Sequence, residues 1–197
     1  MLARARFALL MLLILNILNA KSLLNDHLIS PKAADVIEKM GAELKNKTGI
    51  NGYLIATNDK IKRGVSVYEY ISKYSGSISE PFVAIVFAPN SKRIHLISKP
   101  KDLLNKLNKN EILDYAIKVI ASEDSNSLQS KYDVGLVQAY SEMADEIAKA
   151  KGIKLDSTIK NSGGWVLKIV NTLIIIGSLI VIWIYFVNPI IIKIKGK

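Results

Sequence analysis

Residues 169–187 read IVNTLIIIGSLIVIWIYFV and contain no charged side chain. At the helical rise, a run of this length extends roughly 28 Å, about the thickness of a bilayer's hydrocarbon core. Burying such a helix inside a soluble fold would need a large domain around it, and the rest of the chain is too short to supply one. A transmembrane helix is therefore expected over residues 165–192. Trp165 lies just before the run, and Trp183 and Tyr185 lie near its far end, which suits interfacial aromatic belts. Lys193, Lys195 and Lys197 follow with no acid among them. The positive-inside rule then predicts a cytoplasmic tail over 193–197 and an exported domain before Trp165. Within the run, Asn171 and Ser178 are the clearly polar side chains, with Gly177 between them in sequence. These are candidates for contact with another transmembrane helix.

The N-terminus agrees with that topology. Arg4 and Arg6 precede the apolar run Phe7 to Leu18, and Asn19-Ala20 comes next. This layout predicts a signal peptide over residues 1–20 or, because Leu18 fits a cleavage site poorly, an uncleaved signal anchor. Either one exports the central domain. The intervening residues 21–164 are enough for one domain with its own core. The formal charge of +10 overstates how basic that domain is. The N-terminal segment and residues 165–197 carry +6 of it, leaving 21 basic and 17 acidic residues in the middle. An exported domain with so small an excess is not expected to bind nucleic acid. There is no cysteine, which excludes disulfides, thiolate metal sites and cysteine nucleophiles.

The domain is predicted over 21–155, with a linker over 156–164. Ser30-Pro31 opens a first helix, serine as N-cap and proline in the first turn. Its apolar stripe is Ala33, Val36, Ile37, Met40 and Leu44, and Gly49 is its stop. Tyr53 to Ala56 reads as a strand. Ser66 with Glu69 is a capping-box pattern ahead of Val67, Tyr68, Ile71 and Tyr74. Phe82 to Ala88 (FVAIVFA) is continuously apolar, as a central strand buried on both faces would be. Pro89-Asn90-Ser91 is a turn, and Arg93 to Ser98 the hairpin partner. Asp102 to Leu107 is a short helix. Asn110 caps a further one, with Leu113, Ala116, Ile117 and Ile120 on one face. Leu128 to Lys151 is the longest, with an inner stripe of Leu128, Tyr132, Leu136, Met143 and Ile147. The fold class is α/β: a small mixed sheet of three or slightly more strands with flanking helices.

Several of these signals together resemble the TPM domain family, named for thylakoid-lumen, photosystem II accessory and channel-modulator proteins. They are Leu28-Ile29-Ser30-Pro31, Thr48-Gly49, the strand Phe82 to Ala88 with its hairpin turn, and Lys131-Tyr132-Asp133-Val134-Gly135-Leu136. The resemblance covers about residues 26–150. It implies a bacterial, membrane-anchored member on the periplasmic side of the inner membrane, with either an accessory role in a membrane complex or the activity of a weak phosphatase or metal-dependent hydrolase. The family's acidic Asp-Asn-Gly stretch is replaced here by Ser75-Gly76-Ser77-Ile78-Ser79-Glu80-Pro81. Its Gly-x-Gly-Leu-Glu stretch is replaced by Ser98-Lys99-Pro100-Lys101-Asp102. Both changes favour the accessory role.

Residue chemistry points the same way. His27 and His95 are the only histidines, and their spacing shows no carboxylates to complete a metal site. Asp114, Glu123 and Asp124 are oxygen ligands in principle, but read more simply as solvated acids. No serine sits in a G-x-S-x-G elbow and no glycine-rich phosphate loop is present. No catalytic residue, metal or cofactor is expected. One basic cluster stands out: Lys92, Arg93, Lys99, Lys101, Lys106 and Lys109 against Asp102. It is a candidate contact for an acidic partner or for lipid headgroups. The expected function is a membrane-tethered, extracytoplasmic accessory module whose partners are the lipid bilayer and a membrane protein complex.

Overall fold

The computed structural model describes residues 21–159, together with Trp183 and Tyr185. Apart from those two aromatics, the expected signal segment, span and tail lie outside the described residues, as does linker 160–164. Among the described residues, no helix is long and apolar enough to cross a membrane.

The elements run β1 (Leu23–Asn25), α1 (Pro31–Thr48), β2 (Asn51–Ala56), α2 (Val67–Ile71), β3 (Phe82–Ala88), β4 (Arg93–Lys99), α3 (Lys109–Ile120) and α4 (Leu128–Lys149). Short 3-10 turns lie at Ser72–Tyr74, Pro89–Ser91 and Lys101–Lys106. The sheet has four strands in the order β1-β2-β3-β4. The first three are parallel, and β4 closes the hairpin antiparallel to β3. The mixed sheet with flanking helices agrees with the expected class.

Local chemistry sets most boundaries. The Ser30 side chain accepts the Ala33 N–H at the start of α1, and Gly49 ends it in the left-handed region at φ 74°. Ser66 accepts the Glu69 N–H in the same way ahead of α2. Every residue of β3 is buried, because helices cover both faces of the sheet. Val83, Ile85 and Phe87 join Ile37, Met40 and Leu44 of α1, Ile112 and Ala116 of α3, and Leu136, Tyr140 and Met143 of α4 in the main core. Phe82, Ala84 and Val86 face the other way, onto Tyr53, Ile55, Ile97 and Ile71 of α2.

The structure corrects four details. Residues 23–25 form an edge strand with no sequence signal of its own. The Glu38 carboxylate holds its start, accepting the N–H groups of Ser22 at 2.7 Å and Leu23 at 3.1 Å. The cap of α3 is Asn108, whose side chain accepts the Glu111 N–H, and not Asn110. In α3, Ile112 and Ala116 are the buried residues while Ile117 is 46% exposed. Leu128, expected on the inner stripe of α4, is 59% exposed at its first turn.

Packing also extends past the expected linker boundary. Leu155 is buried. Glu43 of α1 then accepts the N–H groups of Asp156 and Ser157, each at 2.8 Å, and the Ser157 hydroxyl. Ser141 of α4 accepts the Ile159 N–H at 2.7 Å, and Thr158 donates to Asp145 at 2.7 Å. Burial alone would raise the Glu43 pKa, but hydrogen bonds from Lys47, Ser157 and Asp156 lower it from 4.5 to about 2. A depressed carboxyl stabilises the fold above its unfolded pKa and loses that effect as pH falls through the folded value. Glu43→Gln is therefore expected to cost about 1–2 kcal/mol at neutral pH, partial exposure keeping it modest. Its deficit against wild type should shrink below pH 4.5 and be lost as pH falls through about 2. Urea unfolding of both chains across that range checks this. A deficit independent of pH would mean that Glu43 does not hold residues 156–159 through its charge.

Candidate functional site

In sheets with parallel strands, ligands are usually taken at the carboxyl ends of the strands. Here Asp26 follows β1, Thr57, Asn58 and Asp59 follow β2, and Asn90 and Ser91 follow β3. Thr57 Oγ1 donates to Asp26 Oδ2 at 2.7 Å, and the Asn58 N–H donates to the same oxygen at 3.1 Å. The Asn58 amide donates to the Asp26 carbonyl at 2.8 Å, and the Asn90 amide donates to the Asn58 carbonyl at 2.7 Å. Ser91 Oγ accepts the Ile61 N–H at 2.7 Å. The strand ends are laced together by their own side chains.

Beside them, the Tyr70 hydroxyl lies 2.9 Å from both Thr57 Oγ1 and Asp59 Oδ2. Lys73 is bonded to Asp59, with its ammonium 4.3 Å and 4.7 Å from the ring centroids of Tyr70 and Tyr74. Burial pushes the Tyr70 hydroxyl up to about 12, with Lys73 and Thr57 pulling the other way. Asp59 is held below the carboxylate range by Lys73 and Tyr70. Burial would lower Lys73, but its interactions with Asp59, Tyr70 and Tyr74 together outweigh that and raise it. General acid–base catalysis needs groups tuned toward the working pH. Each group here is driven away from neutrality, so the cluster is built to lock strands together. None of these residues was singled out from sequence. The available signal was the polar run after Ala56 and the Asn90-Ser91 pair two residues past Ala88.

The remaining candidates are dispersed. Asp124 is pulled down to about 2 by the Asn126 N–H and the Ser122 hydroxyl, and pairs with Lys131 at 3.2 Å, so its own loop uses its oxygens. Asp114 is exposed on α3, and His27 is exposed with φ 61°. His95 is exposed on β4, with its pKa lowered by burial of its ring and by Arg93. One acidic grouping escaped sequence reading because α3 and α4 supply it jointly: Glu111, Glu142 and Glu146 have carboxylate oxygens within 4.8 Å of one another. Lys149 already neutralises part of it, at 3.1 Å from Glu146.

The six basic candidates are spread from the β3–β4 turn along β4 and the segments after it. Lys92 and Arg93 stand where the β3–β4 turn enters β4, and Lys99 stands at the strand's other end, about 20 Å away along an antiparallel strand. Lys99 pairs with Glu80 at 2.6 Å, and the Lys101 ammonium sits 4.9 Å from the Tyr68 ring centroid. Lys106 borders a small apolar pocket with Ile50, Leu107 and Lys151, and Lys109 is exposed at the first turn of α3. Asn171, Gly177 and Ser178 lie outside the described residues.

Lys92 and Arg93 border something else. Between the β3–β4 turn, α3 and the start of α4 lies a groove of about 420 Å³. Phe87, Ile94, Ile117, Ile120, Leu128 and Tyr132 line it. Phe87 and Tyr132 meet edge to face, with centroids 4.9 Å apart. Ile117 and Leu128 are its exposed rim. The sequence has no match among family models, and none among curated proteins.

Proposed function

We propose that this chain is a membrane-tethered, extracytoplasmic accessory module that binds a larger membrane protein complex. The observation that carries this reading is the groove beside Lys92 and Arg93. An open apolar hollow with Ile117 and Leu128 exposed on its rim and two cations beside it supports a binding surface. The polar cluster at the strand ends, by contrast, is closed by internal bonds and holds no group tuned for catalysis. The uncharged run 169–187, the lysine-only tail and the arginine-led apolar N-terminus support a bacterial inner-membrane location. They support a periplasmic domain, one C-terminal span and a cytoplasmic C-terminus. The order β-α-β-α-β-β-α-α supports a TPM-type domain.

Two experiments test the reading. A reporter fused after Lys197 is expected to read cytoplasm, and one inserted at Ser125 the exported side. The opposite pair would end the topology. Affinity purification of the full chain in detergent is expected to recover a defined membrane complex. Replacing residues 169–187 by a plain Leu-Ala span should preserve folding and reduce that recovery. The reason is that Asn171, Gly177 and Ser178 can pack against a partner helix, where a buried Asn contributes about 1 kcal/mol. Equal recovery from both chains would move the contact from the span to the domain. Hydrolysis of a generic phosphate ester by the purified chain, lost with Asp124→Asn, would replace the accessory reading by the phosphatase one.

A further inference from the structure

We propose that the groove between the β3–β4 turn, α3 and α4 binds an acidic protein segment that inserts one aliphatic side chain. This deepens the accessory reading and rests on it. The apolar part of the argument is geometric. Ile117 and Leu128 are 46% and 59% exposed, and both stand on the rim of a hollow floored by Phe87 and Tyr132. An anchor side chain seated there would cover both rim residues, as the best-packed points of protein interfaces do.

The electrostatic part is the asymmetry of the lips. Like most of the described basic side chains, Lys92 and Arg93 have no carboxylate within ion-pair distance, and the lining of the groove holds no acidic side chain. Arg93 donates only a long 3.4 Å bond to the Val65 carbonyl, so most of its five donors remain for a ligand. The Lys92 backbone is fixed in the left-handed region at φ 51°, with its N–H bonded to the Pro89 carbonyl at 2.9 Å. Its side chain therefore leaves the turn from a set position. On the helix side, Ala121 and Leu128 offer only apolar contact. A ligand complementary to both lips carries a carboxylate beside an aliphatic group. The groove is half-open, so a lone acyl chain would stay partly in water, whereas a protein surface can close over the rim. Two cations with no exposed aromatic platform do not make a nucleic-acid site.

The test uses the full chain in phosphatidylcholine nanodiscs, with empty nanodiscs as control, and three short labelled peptides read by anisotropy. One combines Leu and Glu, one Leu and Lys, and one Ser and Glu. The Leu/Glu peptide is expected to bind about tenfold more tightly than either of the others, because only it satisfies both lips. Lys92→Glu with Arg93→Glu should reverse the preference toward Leu/Lys. Ile117→Ser with Leu128→Ser should weaken the Leu/Glu peptide about tenfold. All four side chains are partly or fully exposed, and an unchanged urea midpoint verifies the fold of each variant. Equal affinity for the three peptides, or a preference untouched by charge reversal, overturns the proposal. Displacement of the Leu/Glu peptide by phosphatidylglycerol vesicles also overturns it, assigning the groove to lipid. If the intact chain still recovers its complex while the peptides ignore the groove, the accessory reading stands and this site falls. If the peptides bind as expected and no complex is recovered, the site stands and the accessory reading falls.

Discussion

Ile85→Asp is expected to abolish cooperative unfolding of the domain. Ile85 is fully buried at the centre of β3, with Leu54 and Leu96 as its partners on β2 and β4. All three belong to the main core. An unpaired carboxylate there costs several kcal/mol or more, on top of the lost aliphatic burial. Domains of this size hold only about 5–15 kcal/mol in total. Near-ultraviolet dichroism of the intact chain in detergent, heated through its transition, checks this. A melt close to the parent's would mean that β3 is not the centre of the sheet.

Gly41→Ala is the second large effect, for the opposite reason. The substitution adds one methyl group where no space exists. A Cβ at position 41 would lie 1.9 Å from Ser22 Oγ, 2.5 Å from Ser22 Cβ and 2.5 Å from the Tyr140 hydroxyl. Tyr140 is fully buried and donates to the Gly52 carbonyl at 2.9 Å, tying α4 to β2. It cannot yield without breaking that bond. Ser22 can yield only by dragging the start of β1 away from Glu38. Overpacking of this kind costs about 3 kcal/mol. Ser22→Gly in the same chain should recover part of the loss, since it removes two of the three clashing atoms. Chemical denaturation of the single and double variants reads this directly. No rescue would place the strain on Tyr140 alone.

What the sequence made legible was what depends on near neighbours. The Ser30-Pro31 start and Gly49 stop of α1 follow from capping chemistry within a few residues. β3 could be read because an unbroken apolar run has one common explanation at that length. β1 could not. Three residues carry no period, and their partners are a carboxylate fifteen residues away and a strand beyond it. In α3, apolar residues at 112, 113, 116, 117, 119 and 120 cover a wide arc. Periodicity does not say which part of that arc meets the sheet. The structure turns 112 and 116 inward and leaves Ile117 on the rim. The groove was invisible for the same reason, since its walls come from four elements. The basic residues are close in sequence, but the length of β4 lies between Arg93 and Lys99.

Residues 156–159 carry a consequence for load. Their composition suggested slack, yet they are fixed to Glu43, Ser141 and Asp145, side chains on two different helices. A pull on the chain at residue 159 is therefore shared by α1 and α4 and reaches the core of the domain before any slack is taken up.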